Sequence, residues 1–287
     1  RRQRQMCIRD SAYGSPNYCT ESSTCFQSAA MAWRSIYGND ICFPDLMHAQ
    51  TVLVWSNNLY HSNVGMARSY QSLKARGAKI IAVDPRETVT TQAADIHLKL
   101  LPGTDGALAL SMAQVIIEEG LYDKEFVEKY VYGFEEYKAY VNQFPPEKAE
   151  KITGVDKKLI REAARMYASN GPAGVMFSAS PVVHNINGMQ NYRAVMCLIA
   201  LTGNYDIPGG NPSRPGPVSP CNEYGKVKRL DTIEAIGEKD FPAWFDLPCE
   251  EAQCTRIADY ILKEEPYPLK AVVGFGPVSY THLRAHE

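Results

Sequence analysis

The sequence predicts an α/β protein with a doubly wound, mostly parallel sheet, helices on both faces of the sheet, and part of a second α/β domain. Three observations lead to this fold class. Short apolar runs at Val52–Trp55, Lys79–Val83 and Ala173–Phe177 have the length and composition of buried strands. Segments with helical periodicity separate these runs, and each run ends in small or polar residues. A parallel sheet with crossover helices satisfies all three observations.

The first two strands and the helix between them form the clearest part of the pattern. A polar turn follows Val52–Trp55, and apolar residues then recur at helical spacing from Val64 to Leu73. Gly77 is suited to end that helix, and Lys79–Val83 follows as the second strand. This strand, helix and strand predict a parallel crossover, whose ligands are expected beyond the carboxyl ends of the strands.

The remaining elements follow from periodicity and from residues that begin or end helices. Helices are predicted at 29–37, 106–119, 124–131, 134–144, 146–152, 157–169, 189–201 and 250–263, and a last strand at 269–273. The Ser/Thr cluster at 22–24 is expected to cap the first helix. The proline- and glycine-rich stretch 209–220 suggests a boundary between a Rossmann-like domain at 12–213 and part of a second α/β domain at 214–276.

Both chain ends differ from their neighbours and resemble translated sequencing adapter. The codons for Met6–Asp10 can spell ATGTGTATAAGAGAC, and those for Ser279–His282 can spell TCTTATACACAT, which lies on the opposite strand of the same adapter. We therefore expect 1–11 and 277–287 to be non-native and exclude them from the fold. The native part, 12–276, is expected to be an internal fragment of a longer protein and inactive by itself.

Composition narrows the class of protein. The formal net charge of −2 argues against a nucleic-acid partner. No apolar run approaches the ~18 residues of a membrane span. The eight cysteines are scattered through a chain too long for a disulfide-stapled miniprotein, so reduced thiols are expected. The sequence leaves the cellular location open.

The predicted strand ends carry groups suited to a nucleotide. Neither a G-x-G-x-x-G fingerprint nor a Walker phosphate loop follows the first strand, which argues against a nicotinamide site. Asp84-Pro85-Arg86 instead offers a carboxylate that can accept from guanine and a guanidinium that can bind phosphate. Pro102–Asp105 adds a helix N-terminus with a hydroxyl and a second carboxylate.

Cys25 is the cysteine in the most suggestive position. It lies close to the predicted N-terminus of the first helix, where the helix dipole favours a thiolate. A buried cysteine that acts as a small apolar side chain is the common alternative. The local pattern leaves both interpretations open.

The sequence also resembles the molybdopterin oxidoreductase family, over about 12–276. The resemblance rests on an ordered set of segments: VLVWSNN, KARGAKIIAVDPRETVTTQAAD, LLPGTDGALALSM, LYDKEFVEKYVYGFEEY, KITGVDKKLI and NGMQNYRAVMCLIALTGNYDIPGG. The family's turn after the first strand is commonly Gly-Ser-Asn-Pro, whereas this chain has Trp55-Ser56-Asn57-Asn58. The resemblance implies a cofactor-binding domain at 12–213.

The resemblance also assigns roles to particular residues. Cys25 begins a C-x-x-S-A segment and is the implied metal ligand and catalytic residue, and Arg214 is a second implied catalytic residue. The residues implied to bind the cofactor are Ser56, Asn57, Asp84, Pro85, Arg86, Gly103, Thr104, Asp105, Ser180 and His184.

The implied cofactor is a bis-molybdopterin guanine dinucleotide with molybdenum or tungsten, and a [4Fe–4S] cluster is expected upstream. The implied activity is transfer of an oxygen atom, or of a proton and two electrons, as in anaerobic respiration. A small-molecule substrate and an iron–sulfur electron-transfer subunit are the implied partners. Phe26 stands where formate dehydrogenases have a histidine, which argues against formate as substrate. A non-redox hydratase or transhydroxylase and a non-catalytic nucleotide-binding scaffold remain alternatives.

Overall fold

A four-stranded sheet forms the centre of the larger of two units in this computed structural model. The structure describes residues 15–39, 41–178, 182–213, 233–246 and 252–273. The units comprise residues 21–220, and residues up to 20 together with those from 221 onward. The strands are β1 (Thr51–Trp55), β2 (Lys79–Val83), β3 (Ile96–Leu98) and β4 (Ala173–Phe177). Every pairing is parallel, in the order β3-β2-β1-β4.

The sheet is covered on both faces, as the doubly wound class requires. Leu53 and Trp55 in β1 belong to one apolar cluster, whereas Val52 and Val54 belong to another. Successive side chains of a strand point to opposite faces. The alternation therefore buries both faces and explains why β1 is apolar throughout. The α/β fold class predicted from the sequence is confirmed.

Helices of the larger unit surround this sheet. They are α1 (Gln27–Tyr37), α2 (Leu59–Ser62), α3 (Val64–Ala75), α4 (Val89–Gln92), α5 (Asp105–Glu118), α6 (Lys124–Tyr130), α7 (Phe134–Val141), α8 (Pro146–Thr153), α9 (Lys157–Ser169) and α10 (Gly188–Leu201). Side-chain caps begin several of them. The Asn63 side chain accepts from the Met66 amide, and that of Asp156 accepts from the Lys158 amide. No helix among the described residues is long and apolar enough to cross a membrane.

A buried asparagine closes the outer edge of β4. The Asn211 side chain accepts from the Val175 amide at 2.8 Å and donates to the Val175 carbonyl at 2.9 Å and to the Cys42 carbonyl at 3.1 Å. Asn204 accepts from the Ala173 amide at 2.9 Å. These amides occupy the place of a fifth strand, so backbone groups at this edge are satisfied without one.

The smaller unit contains two helices in its described part, α11 (Pro242–Asp246) and α12 (Ile257–Lys263). Its apolar cluster is centred on buried side chains that include Ile236 and Tyr260. Asn17 connects its segments, since it donates to the Tyr267 hydroxyl at 2.8 Å and accepts from the Ile236 amide at 2.9 Å.

Several sequence predictions require correction. The predicted strand at 269–273 is irregular, and the predicted helix at 250–263 begins only at Ile257 within the described residues. The short strand β3 was missed. The Ser/Thr cluster forms part of a 3-10 helix, Glu21–Thr24, and the N-cap of α1 is Phe26, which provides no side-chain cap. The two adapter-like ends lie outside the described residues, and the predicted domain bounds stay predictions.

Candidate functional site

The carboxyl end of β1 is hydrogen-bonded to both neighbouring strands. The Ser56 amide donates to the Val83 carbonyl at 2.7 Å, and the Asn57 side chain donates to the Phe177 carbonyl at 3.2 Å. Ser56 reaches this position with φ of 53°. The side-chain oxygen of Asn58 is buried and has no hydrogen-bond partner among the described residues. This turn thus presents one unsatisfied acceptor at the edge where parallel sheets bind ligands.

The end of β2 presents a carboxylate and a guanidinium. Asp84 is 4% exposed. Its Oδ1 accepts from the Arg86 amide at 2.8 Å and from Arg86 Nε at 3.4 Å. Its Oδ2 receives no hydrogen bond from any described residue, and the Arg86 side chain is 67% exposed. Pro85 separates the two residues, and His97 Nε2 donates to the Asp84 carbonyl at 2.8 Å.

The N-terminus of α5 lies against the end of β1. Trp55 Nε1 donates to Asp105 Oδ1 at 2.7 Å in a buried hydrogen bond. Burial raises the pKa of Asp105, and the hydrogen bond from Trp55 opposes that shift. Gly103 has φ of 83°, and the Thr104 hydroxyl donates to the Leu101 carbonyl at 2.6 Å. The predicted segment 103–105 is therefore close to β1, with one oxygen of Asp105 already bound within the protein.

The N-terminus of α10 meets that of α5 through Asn191. Its side chain donates to the Gly103 carbonyl at 3.5 Å and to Asn185 Oδ1 at 3.3 Å. A Cβ added at Gly106 would lie 2.5 Å from Asn191 Oδ1, so only glycine permits this approach. Sequence reasoning missed Asn191 and the pairing of Trp55 with Asp105, because each contact joins residues far apart in the chain.

The remaining predicted site residues are less closely connected. Cys25 is half-buried in the turn between the 3-10 helix and α1. His184 lies in the loop before α10 with an exposed side chain, and no hydrogen bond among the described residues joins it to the strand ends. Ser180 and Arg214 lie outside the described residues.

Comparisons with known proteins identify the family of this chain. A family model described as molybdopterin oxidoreductase matches residues 11–245. The chain is 38% identical to the F420-dependent formate dehydrogenase subunit alpha of Methanocaldococcus jannaschii, over 68% of this chain and 28% of that protein. It is 32% identical to acetylene hydratase of Syntrophotalea acetylenica, over 90% of this chain and 39% of that protein. The solved structure of acetylene hydratase from Pelobacter acetylenicus gives a TM-score of 0.79 at 29% identity, over 92% of this chain and 40% of that chain.

The chain belongs to the molybdopterin oxidoreductase family, which confirms the resemblance seen in the sequence. Membership implies a molybdopterin cofactor with molybdenum or tungsten. The chain spans two fifths or less of the length of the three relatives named above.

Proposed function

We propose that this chain is part of the catalytic subunit of a molybdenum- or tungsten-dependent enzyme whose metal is held by two pyranopterin guanine dinucleotides. The observation that carries the proposal is the convergence of the β1 turn, Asp84 with Arg86, and the N-terminus of α5 at one edge of a parallel sheet. That edge is where open α/β sheets bind nucleotides.

The donors and acceptors at this edge fit a guanine dinucleotide tail. Asp84 Oδ2 is available to accept from the N1–H and amino group of guanine, while Arg86 holds the carboxylate through Oδ1. The exposed guanidinium of Arg86 can bind a pyrophosphate oxygen. The buried amide oxygen of Asn58 needs a donor, which a nucleotide can supply. These residues bind and orient the tail.

Cys25 is the residue we propose as the metal ligand. A thiolate is a soft ligand and suits a metal already coordinated by dithiolene sulfurs. When bound, the cofactor supplies the two-electron chemistry or the Lewis acidity of its metal. The chain contributes the thiolate, the position of the tails and the environment beside the metal. The proposal includes an electron-transfer partner, since relatives such as a thiosulfate reductase of Salmonella typhimurium are named as subunits. It also includes the iron–sulfur cluster that the family resemblance implies.

A hydratase-type activity without net redox change is the second candidate. Acetylene hydratase matches about nine tenths of this chain both in sequence and in structure, and a thiosulfate reductase subunit matches a similar share in sequence, so the residue beside the proposed metal ligand carries this candidate. Phe26 follows the proposed metal ligand and cannot exchange protons. A proton-handling residue at this position, as implied for formate dehydrogenases, is therefore absent.

Metal and nucleotide content test the proposal. The protein encoded by the full gene should be purified without oxygen, and its molybdenum, tungsten and acid-released guanine nucleotide measured. We expect one metal per chain and two guanine nucleotides per metal. A protein without either metal would refute the proposal of a metal-dependent enzyme. The interpretation as a non-catalytic nucleotide-binding scaffold would then remain.

The Cys25→Ala variant then tests the ligand. We expect the metal–sulfur coordination number from X-ray absorption to fall by one relative to the unmodified protein. Cys197→Ala is the matched control, because Cys197 is in the same unit, and burial raises its pKa to about 11, which keeps it a neutral thiol. Unchanged coordination in Cys25→Ala would exclude Cys25 as the ligand.

Turnover distinguishes the two candidate activities. A redox enzyme should reduce or oxidise a viologen dye when substrate is added, whereas a hydratase should add water to an unsaturated substrate with no electron acceptor present. Conversion of a sulfur or nitrogen oxyanion to a more reduced product would favour the reductase branch of the family.

A further inference from the structure

A small aromatic cleft lies beside Phe26, the N-cap of α1. Its volume is about 120 Å³, and it is lined by Phe26, Ile41, Cys42, Phe43, Pro44, Phe177 and Tyr192. These lining residues include no charged side chain. Phe177 is the last residue of β4, so the cleft opens at the same sheet edge as the proposed nucleotide groups.

The floor of the cleft is rigid. The rings of Phe177 and Tyr192 are stacked with centroids 4.6 Å apart, and Trp33 meets Phe177 edge-on at 6.0 Å. Tyr192 is almost fully buried and belongs to the main apolar cluster of the larger unit. Rings packed in this way present a fixed apolar surface.

The mouth of the cleft is made of exposed phenyl groups. Phe26 is 46% exposed and Phe43 is 59% exposed. The backbone of Phe26 is nevertheless held, because its carbonyl accepts from the amides of Ala29 and Ala30 at the start of α1. Exposed apolar rings around a formed apolar cavity gain free energy when an apolar ligand removes them from water.

The geometry points to a binding site for a small neutral apolar molecule, no larger than one aromatic ring, with Phe26 as a residue that determines specificity. An engineered apolar cavity of about 150 Å³ binds benzene, so a cavity slightly smaller takes a ring or a short unsaturated hydrocarbon. An anion is disfavoured because the lining includes no cationic side chain to offset its lost hydration.

Phe26 lines the cleft and follows Cys25, the proposed metal ligand, directly in the chain. The assignment of the cleft as the apolar subsite of the substrate rests on the proposed function. The binding of an apolar molecule to the cleft is independent of the proposed function.

Fluorobenzene is a suitable probe, and its binding to the purified protein can be measured by ¹⁹F NMR. We expect saturable binding, and at least about tenfold weaker binding of benzenesulfonate, which carries a charge. Phe26→Asp introduces a charge at the mouth, and Ile41→Trp fills the cavity. Each substitution should weaken the binding of fluorobenzene at least about tenfold.

Val64→Asp is the matched control, since Val64 is 70% exposed and is not among the lining residues. It should leave the affinity for fluorobenzene unchanged. Ile41→Trp keeps the test valid if Phe26→Asp fails to fold. No binding by the unmodified protein, or an affinity of both cleft variants equal to that of the unmodified protein, would overturn the inference.

Metal content measured on the same samples separates the two proposals. Fluorobenzene binding by a protein without molybdenum or tungsten supports the cleft and refutes the proposed function. A metal-loaded protein that does not bind fluorobenzene refutes the cleft and leaves the proposed function intact.

Discussion

At the end of β1, Ser56 adopts a left-handed conformation, with φ of 53°. For a residue with a Cβ this conformation costs about 1–2 kcal/mol, and glycine adopts it without that cost. Trp55, by contrast, is in regular pairing with Val83 and Phe177. The left-handed residue of this turn is therefore Ser56 and not Trp55, which stands in place of the glycine of the family's Gly-Ser-Asn-Pro turn.

Replacing Ser56 with glycine should stabilise the protein. We expect Ser56→Gly to raise the free energy of unfolding by about 0.5–1 kcal/mol, because the relief of strain exceeds the added freedom of the unfolded chain. Urea denaturation measures this change. Ser56→Val should be destabilising, since a branched Cβ is poorly accommodated at positive φ. Equal or lower stability of Ser56→Gly would show that the turn is not strained.

The Trp55–Asp105 hydrogen bond predicts a pH-dependent effect. Burial raises the pKa of Asp105 in the folded protein, so its contribution to stability is present below the unfolded pKa and is lost as pH rises through the folded value. Trp55→Phe removes the donor that opposes this shift. We expect a loss of about 2 kcal/mol at pH 7 and a smaller loss at pH 4, because the indole N–H forms a stronger hydrogen bond to a carboxylate than to a protonated acid.

Urea denaturation at both pH values checks the Trp55→Phe prediction. Asp105→Asn provides the control, because an amide does not titrate, so Trp55→Phe in that background should cost the same at both pH values. If Trp55→Phe lowers stability equally at pH 4 and pH 7 while Asp105 is present, the loss comes from packing alone and not from the hydrogen bond.

At the level of elements, the outer edge of β4 depends on side chains from a distant loop. Asn211 makes three hydrogen bonds to backbone groups of Val175 and Cys42. Such pairing of a strand with a side-chain amide follows no periodicity, and Asn211 is 36 residues from Val175. Sequence reasoning therefore placed this asparagine only in a boundary loop.

Asn211→Ala should be strongly destabilising. We expect a loss of about 3 kcal/mol in the free energy of unfolding, because buried backbone groups at the β4 edge lose their partners. Hydrogen exchange at the Val175 amide should accelerate in the same variant. Asn142→Ala is the control, because Asn142 is exposed, and it should change stability by less than about 0.5 kcal/mol. A small effect of Asn211→Ala would mean that water replaces the asparagine at this edge.

At the scale of the whole molecule, sequence patterns predicted the long buried strands of the sheet but not its short edge strand. The runs that became β1, β2 and β4 were predicted because burial on both faces requires continuous apolar residues. The strand β3 was missed because three residues are too few to show a period. The apolar run at 269–273 was wrongly predicted as a strand, since its composition does not reveal whether a neighbouring strand is available. The polar residues that follow the strands could be recognised in the sequence, but the residues to which they are hydrogen-bonded could not.

Cofactor loading should stabilise the protein as a whole. A ligand present at about 100 times its dissociation constant adds about 2.7 kcal/mol to the free energy of unfolding, so the loaded protein should melt several degrees above the apoprotein. Under the proposed function, this increase should shrink in Asp84→Asn and Arg86→Gln. Differential scanning fluorimetry of both forms provides the measurement.

Arg165→Gln is the control for cofactor loading. This substitution removes a largely exposed ion pair with Glu119. It should therefore change the melting temperatures of the apoprotein and of the loaded protein by the same small amount. An undiminished increase in melting temperature for Asp84→Asn would show that Asp84 does not contact the nucleotide.

The hydrogen bonds that join the strand ends have a further consequence for binding. The Ser56 amide is held by β2, the Ser178 amide by the Trp55 carbonyl, and the Asn57 side chain by β4. Under the proposed function, the floor beneath a bound tail is thus preorganised, and little conformational entropy is lost when the tail docks. Affinity differences between related tails should then appear mainly as differences in dissociation rate.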